Sequence, residues 1–162
     1  MTTIRGYLKN AKFVRDNILN ETERIVYRNE AKITQMQAEQ VENGIGNDGL
    51  PLKSNNRNFT GFYSPKTANL AMFSPQKPLL PKIIGQPYNF VNTGVFISNF
   101  MFEITDDLTG LKWRNTGTGS GSKAEFFRSY EGSYLGLSPE NSEFVKGKIV
   151  FPEVLDFVNR YL

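Results

Sequence analysis

Val95-Phe96-Ile97-Ser98-Asn99-Phe100-Met101-Phe102-Glu103-Ile104-Thr105 is the stretch on which the fold class turns. Its side chains sort with a period of two. Phe96, Ser98, Phe100, Phe102 and Ile104 fall on one face; Val95, Ile97, Asn99, Met101, Glu103 and Thr105 fall on the other. A face this apolar beside a mixed one predicts a half-buried strand over 95–105. Asp106-Asp107-Leu108-Thr109-Gly110 supplies turn residues, and Leu111-Lys112-Trp113-Arg114 is expected to return as the hairpin partner.

Upstream the period is different. Ala11, Val14, Ile18, Thr22, Ile25, Ile33 and Met36 recur near 3.6 residues across 10–42, with charged residues between them and no Gly or Pro from Lys9 to Asn43. This predicts one long helix, weaker where Asn29 and Gln40 interrupt the stripe. Asn43-Gly44-Ile45-Gly46-Asn47-Asp48-Gly49 ends it with a glycine cap and a turn. The segment 50–87 then holds six prolines and several aromatic residues. It predicts an extended interface loop with a short helix near Pro65–Phe73, because a free spacer has no use for Phe59, Phe62, Tyr63 and Phe73. Beyond the hairpin, Gly117–Ser122 reads as a mobile loop and Lys123–Tyr130 as a short helix. Ser138-Pro139-Glu140 reads as a helix N-cap with proline at the first helical position, and Pro152 as the opening of a last helix over Glu153–Leu162. The expected architecture is α+β in a single domain over 1–162. It comprises a long helix with an N-terminal arm (1–42), a Pro-rich interface loop (50–87), and a small antiparallel sheet with C-terminal helices (88–162).

Composition narrows the chemistry. The chain has no histidine and no cysteine. Imidazole is the side chain that exchanges protons most readily near neutral pH, and thiolate with imidazole supplies most zinc, iron–sulfur and haem ligation. Catalysis here would rest on carboxylates, lysines, tyrosines or serines, so a protein that binds and assembles is expected, with no catalytic residue, no cofactor and no metal. The aromatic content, 13 Phe, 7 Tyr and one Trp, predicts a real core. Charge is uneven: residues 1–82 carry 12 Lys/Arg against 7 Asp/Glu, and residues 83–162 carry 7 against 9. The early basic residues Arg5, Lys9, Lys12, Arg15, Arg24, Arg28 and Lys32 alternate with acidic ones, as on a solvated helix face. No apolar run suggests a secretory signal or a membrane span, so a soluble protein made in a cytoplasm is expected.

Three motifs tempt a sharper reading, and each fails on its chemistry. Gly117-Thr118-Gly119-Ser120-Gly121-Ser122-Lys123 lacks the glycine before and the hydroxyl residue after the lysine that a phosphate loop needs. Asp106 and Asp107 are adjacent and point apart, as turn residues do. Gly132-Ser133-Tyr134-Leu135-Gly136 misplaces the serine of a nucleophile elbow and has no histidine to activate it.

Several separated pieces resemble small structural proteins of tailed bacteriophages and related prophages, including crAss-like phages: the head–tail connector and tail-completion proteins. The pieces are Gln40–Leu52 after the long helix; Tyr63-Ser64-Pro65-Lys66-Thr67; Asn92-Thr93-Gly94-Val95-Phe96 with Phe100; Leu135-Gly136-Leu137-Ser138-Pro139-Glu140-Asn141; and Pro152-Glu153-Val154-Leu155. They keep the family's order, and the chain departs from it at Asn92, where an acidic residue is more usual. The resemblance implies a non-enzymatic virion component, made in the host bacterial cytoplasm and assembled as an oligomeric ring in the neck or tail. Its partners would be further copies of itself and portal-proximal or tail subunits, with non-specific contact to DNA passing through the lumen and none to membrane. The expected contact residues are Phe59, Phe62 and Tyr63 in the long loop and Trp113 with Arg114 on the hairpin, since aromatic and arginine side chains dominate interface energetics. Two other classes stay open: a nucleic-acid-associated packaging protein using the basic N-terminal half, and a carboxylate-dependent tail hydrolase.

Overall fold

The computed structural model describes residues 4–55, 57, 60–75, 77–107, 110–118, 126–130 and 132–162. It is α+β. Helices α1 (Ile4–Arg28) and α2 (Glu30–Glu42) lead into a long irregular segment that carries α3 (Pro65–Phe73). A two-stranded antiparallel hairpin of β1 (Phe100–Ile104) and β2 (Leu111–Asn115) follows. A continuous helical run then closes the fold, made of α4 (Pro139–Phe144), a π-helical turn (Val145–Val150) and α5 (Phe151–Tyr161).

The single helix expected over 10–42 starts earlier and divides at Asn29. Asn29 has φ −98° and ψ 10°, off the helical values. Its side-chain amide donates to the Ile25 carbonyl (2.9 Å) and to Glu153 Oε1 of α5 (3.1 Å), and Arg28 pairs with the same carboxylate. A side chain that competes for local backbone acceptors bends a helix, and here it also ties the bend to a neighbouring element.

The strand also begins later than its alternation suggests. Residues 97–99 form a 3-10 turn, and β1 starts at Phe100. The Ser98 amide donates to the Gly94 carbonyl (3.0 Å), while the Asn99 side chain donates to the Val95 carbonyl (2.5 Å). These local bonds take carbonyls that a strand would offer to its ladder. Phe96 is still buried, so the apolar face survives the change of backbone. From Phe100 the expected pairing holds, with Phe102 opposite Trp113 and Ile104 opposite Leu111.

The C-terminal reading is corrected as well. Pro152 lies inside a continuous helical run; it does not open a separate helix. Proline offers no N–H to the carbonyl one turn back. The backbone widens just before it, and the Phe151 amide donates to the Lys146 carbonyl, five residues away, in a π-type bond. Ser138 caps α4 as expected, its Oγ accepting from the Asn141 amide. The short helix expected over Lys123–Tyr130 is seen at residues 126–128; residues 119–125 lie outside the described residues, as does most of the glycine-rich loop.

Two apolar clusters hold these pieces. One is built on aromatic rings: Tyr63, Tyr88, Phe90, Phe96, Phe100, Tyr130 and Tyr134, with Val41 and Leu52. The other joins Ile33 of α2, Phe102 of β1, and Val145 with Ile149 of the π turn. Buried Gln40 connects α2 to the far half of the chain. Its amide nitrogen donates to the Gly46 (3.2 Å) and Gly136 (3.1 Å) carbonyls. Its oxygen accepts from the Ser138 backbone (2.6 Å) and the Asn141 side chain (3.0 Å). The Gln40–Leu52 and Leu135–Asn141 motifs thus meet around one fully bonded glutamine.

Candidate functional site

The residues expected at an interface separate into different places. Gly61, at φ +87°, lets the chain pass so close to Leu52 that an added Cβ would lie 2.4 Å from its carbonyl oxygen. The segment is clamped there, the Tyr63 amide donating to the Gln86 carbonyl and the Tyr88 amide to the Gly61 carbonyl. This turns Tyr63 inward to 7% exposure and leaves Phe62 half exposed above it. Tyr63 is therefore a core residue. Both line one cavity. Trp113 belongs to another place: half-buried on β2, its ring 5.2 Å from that of Phe102, it walls a cleft of about 610 Å³ with Leu19, Val26, Ile104 and Leu137. Arg114 points to the opposite face of the hairpin and pairs with Glu103 at 2.9 Å. Phe59 lies outside the described residues.

The cavity that holds Phe62 and Tyr63 measures about 670 Å³. Tyr88, Phe90, Phe96, Phe126 and Phe127 complete its aromatic wall, and Thr60, Ser64, Thr67, Asn92, Thr93 and Lys82 are its polar groups. Phe90 is central. Its ring meets those of Phe96, Phe127 and Tyr130 edge-on at 5.5, 5.4 and 4.8 Å, an arrangement favoured by the ring quadrupoles. To place that ring the backbone adopts φ +50°, the one positive value at a non-glycine position among the described residues. A bulky residue in this region costs of order 1–3 kcal/mol, and such strain persists only where the surroundings impose it.

Lys82 stands at the same turn. Its ammonium donates to Asn89 Oδ1 (2.6 Å) and the Val91 carbonyl, and lies 5.3 Å from the centre of the Tyr63 ring. Among the described residues no carboxylate pairs with it. Burial alone pushes its pKa down to about 8. Burial also raises Tyr63 to about 12 and Tyr88 above its ordinary value, so both phenols stay neutral. Asn89 Oδ1 is crowded, accepting from the Tyr63 hydroxyl (2.9 Å) and the Val91 amide (3.1 Å) as well as from Lys82.

A third feature lies across segment 77–84. Leu70, Met72 and Phe73 of α3 and Leu79, Ile83 and Ile84 beyond it are each more than half exposed, Phe73 at 80%. Met72, Leu79, Ile83 and Ile84 line a groove of about 600 Å³ between α3 and 77–84, with Lys77 and Lys82 on its rim, and Leu70 and Phe73 are exposed on the same helix outside that lining. A second apolar surface begins the chain. Phe13 packs on Phe157 and Tyr161 at the far end of α5, so α1 overshoots its partner, and Ile4, Tyr7 and Leu8 continue the buried stripe of Val14 and Ile25 into solvent.

Sequence reasoning missed Lys82, Asn89 and Phe90. One signal was available: no Asp or Glu occurs between Asp48 and Glu103, so every cation in that stretch must find neutral partners within it or acidic ones elsewhere. Among the described residues no helix is long and apolar enough to cross a membrane. Comparison with known proteins returns no matching family model, no similar curated protein and no similar solved structure.

Proposed function

We propose that this chain is a structural subunit of a tailed-phage virion, forming an oligomeric ring in the neck, head–tail connector or tail-completion region by docking alone. The observation that carries the docking is the pair of unlike apolar surfaces, the α3/77–84 groove and the uncovered start of α1. Exposed apolar patches of this kind mark contact sites in proteins that bury them on assembly. Unlike patches on one molecule join head to tail, the arrangement that closes into rings. The placement in a virion rests on the resemblance of the ordered motifs to connector and tail-completion proteins. Mass measurement by sedimentation of the purified chain, with detection of the chain in purified particles, tests the reading. Concentration-dependent oligomers and a fixed copy number per particle are expected; a strictly monomeric chain absent from particles overturns it.

The acid-free stretch between Asp48 and Glu103 also favours a second reading, a nucleic-acid-associated packaging role. Duplex binding that weakens steeply with salt is its signature, and no binding at low salt removes it.

A further inference from the structure

We infer that the aromatic cavity beside Lys82 is a binding site for an apolar carboxylate, a ligand with an aryl or aliphatic body and one anionic oxygen group. Three independent features of the 82–90 turn converge on it. The first is uncompensated charge. A half-buried ammonium normally finds a carboxylate, since a buried cation without one costs several kcal/mol. Lys82 has Asn89 where an aspartate would neutralise it, and its partners are carbonyl oxygens and the Tyr63 ring, none of them charged. Two of its three N–H groups are used, leaving one without an acceptor among the described residues.

The second is shape. About 670 Å³ lies within the range of small-ligand sites, and such sites pair an apolar lining with a few polar groups that fix orientation. The walls here are Phe62, Tyr63, Tyr88, Phe90, Phe96, Phe126 and Phe127, and Lys82 is the one charged group among the described lining residues. The third is strain. Phe90 takes a left-handed backbone to hold its ring in the cavity wall, and it lies one residue from Asn89. Strain, an unneutralised cation and an aromatic cavity in one turn are hard to account for by packing, which a leucine at 82 would serve better.

An anionic ligand would supply what Lys82 lacks, while its body fills the space against the rings. The carboxylate can come from a free acid or from an acidic residue beside an aromatic one on a protein segment, and the test separates these. The chain is titrated at pH 7 with 3-phenylpropionate and, separately, with 3-phenyl-1-propanol, following backbone amide NMR shifts. The acid is expected to bind at least about tenfold more tightly than the alcohol, the scale of one charge-assisted hydrogen bond, and to shift Tyr63, Asn89 and Phe90. Lys82→Met should equalise acid and alcohol, whereas Lys82→Arg should keep the preference even if either variant loses stability. A parallel titration compares N-acetyl-Asp-Phe amide with N-acetyl-Asn-Phe amide. A charge preference confined to the free acid identifies a small-molecule site, and one shared by the peptides identifies a protein segment. Equal binding of acid and alcohol to the unmodified chain, or a preference that survives in Lys82→Met, overturns the proposal. The readout is charge preference inside the cavity and not assembly, although Lys82 also stands on the rim of the α3/77–84 groove.

Discussion

A lysine ammonium set among aromatic rings with only carbonyl oxygens for partners gives up its proton more easily than one in water. For Lys82 this means a folded-state pKa of about 8 against 10.5 for an ordinary lysine. Below pH 8 folded and unfolded chains both hold the proton, and the cost of burying the charge is borne in full. Between pH 8 and 10.5 the unfolded chain holds more protons, so stability rises with pH. Among the described residues, the titratable side chains lining the cavity with Lys82 are Tyr63 and Tyr88, both raised by burial, and they begin to oppose the gain only near pH 10. Thermal melts are therefore expected to shift upward from pH 7.5 to 9.5 in the native chain and to lose that component in Lys82→Met. Tyr130 makes a different case. It is 1% exposed, and its hydroxyl finds no hydrogen-bond partner among the described residues. A buried donor left unmade carries a desolvation cost, so Tyr130→Phe should stabilise the chain by about 1 kcal/mol in urea unfolding.

Among the elements, the closing helix shows how proline and glycine divide labour. Pro152 forces the wide turn, while Gly147 sits within that turn with nothing within 4 Å of where a Cβ would stand. A glycine inside a helical run costs up to about 1 kcal/mol relative to alanine through backbone entropy. Gly147→Ala is expected to raise stability by roughly 0.5–1 kcal/mol in the same unfolding measurement, with no change of fold. Element types were legible in the sequence wherever apolar period and end signals agreed, as for Ser64-Pro65 opening α3 and Ser138-Pro139 opening α4. What escaped was set by side-chain bonds that periodicity does not register. Asn29 divides the long helix, Asn99 delays the strand, and Pro152 widens a helix where its usual role as a first-turn residue suggested a start. The candidate site was less legible. Phe62 and Tyr63 were found by residue type, but the cation beside them depends on the fold bringing Lys82 over the Tyr63 ring.

At the scale of the whole molecule, the residues proposed for assembly are not those that hold the fold. Phe73 and Ile84 are exposed at 80% and 56%, so replacing both by serine removes little that the isolated fold buries. The double variant is expected to unfold within about 0.5 kcal/mol of the native chain while losing self-association in sedimentation velocity. The order in which the polypeptide is made bears on this too. Gln40 is satisfied by the backbone of Ser138 and the side chain of Asn141, and the α1–α2 bend is fastened by Glu153, so α1 and α2 depend on partners 98 to 124 residues further along the chain. These contacts cannot form until residues 138–153 have been made, and closing such long intervals is slow. Nascent products that stop short of those residues thus present α1 with its greasy stripe bare along its whole length, a form that protease or chaperone can distinguish from the folded chain. Arrival of α4 and α5 becomes the step that lets the first two helices cover themselves.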